Sequence, residues 1–271
     1  MKTRFSSIFL TLISLFFLAS CSNLESNITP KETNTVVAKV PTSIASQIES
    51  LGFSANNAVP IAEGYLVEGD IVLTEEDLAA GVLLYDKSAP SEEQYRTTQL
   101  VTGLPRVITI KLATTLPQIF ITGTDEMIKR YNALGLKITF KRITSGTPTI
   151  NIVKDESLPA GTLATSGFPY SYGSPYGYIK IKTATFGNTT NVGYVASTLA
   201  HEMGHCIGFR HTDYFARVCD RVNEKAGTQG AIQIPGTPTA IDYGSWMISC
   251  GGAVDVPFSV MDIASLKALY K

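Results

Sequence analysis

Residues 197–214 read STLAHEMGHCIGFRHTDY, and they hold all three histidines of a 271-residue chain. His201 and His205 are four positions apart. On a helix their imidazoles leave the same face one turn from each other, a spacing at which both can bind one small cation. Glu202 is rotated by one residue from that face, within reach of a water on the cation. Gly208 provides a residue that takes a positive φ cheaply, so the chain can leave the helix there and turn back. The turn brings His211 to the same point as a third ligand. Three imidazoles with an open fourth position form the ligand set of a catalytic zinc ion. Glu202 is then placed as the general base for a metal-bound water. A polar helix with incidental histidines would have to match His201, Glu202, His205, Gly208 and His211 by chance.

The pattern around this stretch is consistent with a helix over 191–208. Asn191 can cap it, and Val192, Val195, Leu199, Met203 and Cys206 recur at spacings of three or four, giving one apolar face. Upstream the chain reads as mixed α/β. Val107–Leu112 alternates as a strand, 124–135 is a helix capped by Thr124 and closed by Gly135, and 136–143, 149–153 and 178–182 are further strands. The region 160–168 is an edge strand along which a peptide substrate would lie antiparallel. FPYSYGSPYGY, residues 168–178, reads as an aromatic substrate rim. Beyond His211 the pattern is irregular until a C-terminal helix at 262–270. Before this domain, 43–53 is a short helix stopped by Gly52, and GYLVEGDIVLTEEDLAAG (64–81) is a strand and then a helix capped by Thr74. Residues 43–95 are accordingly assigned to a prosegment or N-terminal accessory domain, and 96–271 to the catalytic domain.

His-Glu-x-x-His-x-x-Gly-x-x-His is the signature of the metzincins. Within that clan HEMGH continuing into CIGFRHTDY resembles the bacterial HEIGH metallopeptidases, a family of exported proteases. The resemblance runs from about Ile44 to the C-terminus. It implies a zinc endopeptidase of α+β, metzincin-like fold: a twisted mixed β-sheet, a zinc-binding active-site helix, and an irregular C-terminal subdomain. It also implies a Met-turn beneath the imidazoles. Met247 and Met261 are the candidates, and Met247 is preferred because FSVMD, downstream of it, resembles the segment that succeeds the Met-turn in related enzymes. Ser249 stands where some metzincins carry an extra tyrosine ligand. Finally, Val67-Glu68-Gly69-Asp70 resembles the F-x-G-D segment of astacin-type prosegments, with Val67 in place of phenylalanine. That resemblance makes Asp70 a candidate zymogen latch on the zinc.

A formal net charge of −1 points to neither nucleic acid nor an anionic membrane surface as partner. Hydrophobic residues at 44% and charged residues at 17% suit a folded, globular, exported protein. The resemblance to metallopeptidases implies protein or peptide substrates, and a monomer is expected. Lys2 and Arg4 precede an apolar run from Ile8 to Leu18, too short to span a bilayer and suited to a signal peptide at 1–20. Leu18-Ala19-Ser20-Cys21 resembles a bacterial lipobox, which implies lipid on Cys21, membrane contact only through that anchor, and a place in the cell envelope, at the outer membrane, or in the medium. Residues 21–42 then form a flexible tether. In an oxidising compartment Cys219 and Cys250 are expected to pair, leaving Cys206 as a buried thiol on the helix. The alternative function is a catalytically silent, zinc-bearing surface lipoprotein acting as a binding protein or adhesin.

Overall fold

The computed structural model describes residues 40–80, 94–217, 230–237 and 241–271, and residues 37–271 form one compact unit. The signal peptide, the tether, Cys21 and Cys219 lie outside the described residues.

The main layer is a five-stranded mixed sheet of order β6-β5-β7-β9-β8, built from β5 (Arg106–Leu112), β6 (Ile138–Arg142), β7 (Ile150–Lys154), β8 (Ala164–Thr165) and β9 (Tyr178–Ile181). β8 alone is antiparallel to its neighbour. Ile108, Ile110, Ile150, Ile152, Ile179 and Ile181 point into the core and are fully buried. β-Branched side chains at alternate positions hold such a surface well. Two long helices pack on it, α3 (Gln118–Asn132) crossing between β5 and β6, and α5 (Val192–Cys206). The helices approach closely because Gly123 has no side chain: a Cβ there would lie 2.5 Å from the Val195 Cγ1.

α3 begins at Gln118 behind Pro117, six residues before the start expected at Thr124. Thr124 lies inside the helix and its hydroxyl donates to the Phe120 carbonyl at 2.8 Å. A mid-helix threonine satisfied four residues back looks the same in sequence as an N-cap. α5 meets its expected bounds, with the Asn191 side chain accepting from the Tyr194 N–H at 3.0 Å. It is buried on almost every side, not on one face, because the sheet, α3 and the C-terminal region all cover it. Gly208 lies just beyond it at φ 104°.

The N-terminal part carries α1 (Thr42–Leu51), a three-stranded antiparallel sheet of β1 (Val59–Ile61), β2 (Gly64–Val67) and β3 (Ile71–Thr74), and α2 (Glu75–Ala80). The single strand expected in 64–74 is thus a hairpin, and the Glu-Gly-Asp stretch is its turn. Thr74 caps α2 as expected, exchanging hydrogen bonds with Asp77. Alternation sends Leu66 and Val72 into the main core, while Val67, Ile71 and Leu73 join Ile48, Leu51, Phe53 and Phe168 in a second cluster. β4 (Tyr95–Arg96) pairs with β10 (Ile232–Gln233), and a 3-10 turn at Tyr214–Ala216 lies between them in the chain. The short α4 (Thr183–Phe186) comes directly after β9, and α6 (Val260–Tyr270) closes the C-terminal region. α6 starts with a capping box between Ser259 and Asp262, two residues ahead of the expected start.

Candidate active site

α5 presents His201 and His205 on one face, and the turn at Gly208 returns the chain so that His211 meets them. The three Nε2 atoms lie 3.1, 3.1 and 3.2 Å apart. Behind each ring the Nδ1 faces an acceptor. His201 Nδ1 is 2.7 Å from the Trp246 carbonyl, His205 Nδ1 is 2.8 Å from the Phe209 carbonyl, and His211 Nδ1 is 2.5 Å from Glu68 Oε2. Acceptors at all three Nδ1 atoms assign the protons there, so three Nε2 lone pairs converge on one point. Lone pairs meeting without a donor repel, and a cation at that point turns the repulsion into binding. Tetrahedral donors about 2.0–2.1 Å from a metal stand about 3.3–3.4 Å apart, close to the spacing here. The donor set therefore fits a metal.

Met247 is fully buried directly beneath the histidine helix, so close that a Cβ on Gly204 would lie 2.4 Å from its sulfur. Met261 is half-buried at the start of α6. The turn under the rings is tied in at several points. Trp246 Nε1 donates to the Ala200 carbonyl at 3.0 Å, and Thr212 N–H donates to the Met247 carbonyl at 2.9 Å. Asp213 accepts from the Ser249 N–H and hydroxyl at 2.9 and 2.7 Å, bracing the turn.

Glu202 is 2% exposed and accepts a hydrogen bond from the Ser166 hydroxyl at 2.7 Å. It lines a cleft of about 350 Å³ together with His201, Asp70, Thr198, Trp246, Ile248 and Val254. Burial pushes its carboxyl well above the usual range, the Asp70 charge adds to this, and the Ser166 hydrogen bond opposes it.

Asp70 reaches the same centre. Its Oδ2 is 3.2 Å from His211 Nε2 and 3.3 Å from His201 Nε2, and the four residues together offer ligand atoms all within 4.8 Å of one another. The backbone beside it is pinned to the sheet edge. Ser166 N–H donates to the Asp70 carbonyl at 3.0 Å, Val72 N–H donates to the Ser166 carbonyl at 2.7 Å, and Ile71 bridges Ser166 in parallel register.

In sequence the chain matches the family described as Dual-action HEIGH metallo-peptidase over residues 65–270. The chain belongs to that family. It is a metallopeptidase, and the matched stretch begins at Tyr65, so it takes in the hairpin turn as well as the histidine helix. Among solved structures it is similar to one described as "Structure of Myroilysin", at 17% identity over 63% of this chain and 82% of that one, with a TM-score of 0.41. It is also similar to "Crystal structure of myroilysin", at 16% identity over 74% and 98%, with a TM-score of 0.42. No curated protein matches in sequence.

Four residues around this peptidase centre escape sequence reasoning. Ser166 holds Glu202, the Trp246 carbonyl holds His201, Glu68 holds His211, and Arg210 holds Glu68 through a 2.7 Å Nη2–Oε1 contact. A backbone carbonyl leaves no mark in a sequence. Arg210 next to His211, and Glu68 two residues from Asp70, are the readable signals. Cys206 is free and buried as expected.

Proposed function

We propose that the protein is a zinc-dependent endopeptidase, with His201, His205 and His211 as metal ligands, Glu202 as general base, and Asp70 as the latch of a zymogen. The observation that carries this reading is the convergence of three bare Nε2 atoms beside a buried carboxylate at an open cleft. Zinc held by these three imidazoles would supply Lewis acidity, lowering the pKa of a water and polarising a scissile carbonyl. Glu202 accepts the proton of the attacking water and delivers it to the leaving amine, while the Ser166 hydroxyl keeps its carboxylate aimed. Met247 forms the floor under the rings.

The latch reading rests on two supports. Asp70 offers a fourth donor to the centre, and residues 70–72 occupy the free edge of β8, where a peptide substrate would pair. The segment runs parallel to that edge, opposite to the antiparallel course expected of a substrate. It therefore fills the site without presenting its own backbone for cleavage. On this reading residues 43–95 are a prosegment and 96–271 the mature enzyme, with cleavage in 71–106. The leader, the lipobox and the tether support export as an envelope lipoprotein anchored through Cys21, acting as a monomer on protein substrates, with Cys219 paired to Cys250. No described helix is long and apolar enough to cross a membrane.

A silent zinc-bearing binding protein would have no need of the Ser166-held carboxylate beside its metal. To separate the two, wild type and Glu202→Ala are incubated with denatured protein and the products analysed by mass spectrometry. Once the wild-type chain is processed, new peptide termini from it and not from Glu202→Ala, abolished by a chelator, are expected. Zinc bound stoichiometrically with no new termini, even after processing of the chain or removal of the Asp70 carboxylate, would support the binding protein.

A further inference from the structure

Glu68 sits two residues before Asp70, on the opposite side of His211 from the metal centre. Its side chain is fully buried, and it is the sole non-glycine among the described residues with a positive φ, 54°. An L-residue in that region is strained. The strain is offset by the groups its carboxylate meets. Oε2 accepts from His211 Nδ1 at 2.5 Å, Oε1 accepts from Arg210 Nη2 at 2.7 Å, and Arg217 Nη1 stands 3.7 Å from Oε2. The Arg210 guanidinium is itself clamped between two rings, 4.2 Å from the Phe53 centroid and 5.0 Å from that of Tyr214. Phe53 belongs to the same N-terminal part as Glu68. The other two histidines are oriented by backbone carbonyls of the catalytic part, Trp246 and Phe209. His211 alone takes its orienting acceptor, and a charged one, from the N-terminal hairpin.

We propose that Glu68 is a positioning residue for the metal: it fixes the tautomer and direction of His211, so the N-terminal hairpin is a metal-loading element as well as a latch. The inference rests on the proposed zinc site. A carboxylate behind an imidazole raises its basicity as a ligand and holds the ring in place, and loss of such a partner costs about 10–100-fold in metal affinity. The hairpin thus contributes twice to one centre, through Asp70 in front of His211 and Glu68 behind it. The form of the chain that carries the hairpin is the form in which His211 is preset to receive the ion. Cleavage that releases the hairpin then removes the acceptor from one ligand out of three.

The full chain contains three histidines, so labelling histidine with ¹⁵N gives a spectrum in which each ring can be assigned. Zinc-loaded wild type, Glu68→Gln and Glu68→Ala are compared for ring N–H resonances and for zinc release to a competing chelator. The control is Glu63→Ala, which removes the ion pair between the β1–β2 turn of the same three-stranded sheet and Lys180 without touching His211. The expected result is a displaced Nδ1–H signal for His211 alone in Glu68→Gln, with the His201 and His205 signals unmoved. Zinc affinity should fall about 10–100-fold in Glu68→Ala and less in Glu68→Gln. Glu63→Ala should change neither. Folded Glu68 variants with a wild-type His211 resonance and zinc affinity within twofold of wild type would overturn the proposal. So would an equal loss in Glu63→Ala, which would assign the effect to docking of the hairpin. Failure of wild type to bind zinc through these rings would instead remove the proposed function itself.

Discussion

At His201, His205 and His211 one arrangement recurs: an acceptor behind each ring fixes the proton on Nδ1 and bares Nε2. Glu202 differs, being buried, aimed by Ser166, and one residue removed from the face that carries the imidazoles. Its role is separable from metal binding by an isosteric change. Glu202→Gln should lower kcat/KM by about 10²–10⁴-fold with metal content unchanged. Loss of the metal together with activity would show that Glu202 holds the site together and does not transfer the proton. His201, Glu202 and His205 are legible from their spacing on one helix, which fixes direction, and His211 from the glycine that lets the chain turn back. Met247 is the Met-turn candidate by resemblance, whereas Ser166 and Trp246 approach from distant elements with nothing local to mark them, and Glu68 is marked only by its place two residues before Asp70.

Long elements are the most legible. α5 keeps its expected bounds because Asn191 and Gly208 punctuate it on both sides. The hairpin β2–β3 looks like one strand in sequence because Glu68 is an unusual residue for a left-handed turn position, and its cost is met by tertiary contacts no local rule includes. α3 starts earlier than its sequence suggests because Thr124, cap-like in sequence, bonds back inside the helix. The α3–α5 contact supplies a test at this scale. Gly123→Ala puts a methyl group 2.5 Å from a branched Val195 side chain in a closed interface. It should destabilise the protein by about 1–3 kcal/mol, seen as a lowered Tm. An unchanged Tm would mean the helices can separate without cost, and α5 would then not be a rigid support for His201 and His205.

Across the whole molecule, the fold brings a catalytic helix and an N-terminal hairpin, more than a hundred residues apart in sequence, to one four-donor centre. The alternating strands and periodic helices announce the mixed α and β content. Which surface the hairpin covers is not legible, because both of its faces are apolar: Leu66 and Val72 join the main core while Val67, Ile71 and Leu73 join the second cluster. A centre assembled this way links metal binding to folding. Zinc at one hundred times its Kd should stabilise the full chain by about 2.7 kcal/mol over the chelated form, a rise in Tm of roughly 5–10 °C. Differential scanning calorimetry with and without chelator checks it, and identical transitions would mean that the centre does not couple to the fold.

If the hairpin competes with substrate for the metal held by the histidine helix, removing its carboxylate must release activity without any cut in the chain. The most direct test is the initial rate of peptide hydrolysis in the unprocessed full chain, comparing wild type, Asp70→Ala and Asp70→Ala/Glu202→Ala, with chain length verified by mass spectrometry. Wild type should show little or no activity, Asp70→Ala should be active without processing, and the double variant should be silent. Equal rates in wild type and Asp70→Ala, or activity that survives the loss of Glu202, would contradict a latched metal centre with Glu202 as its base.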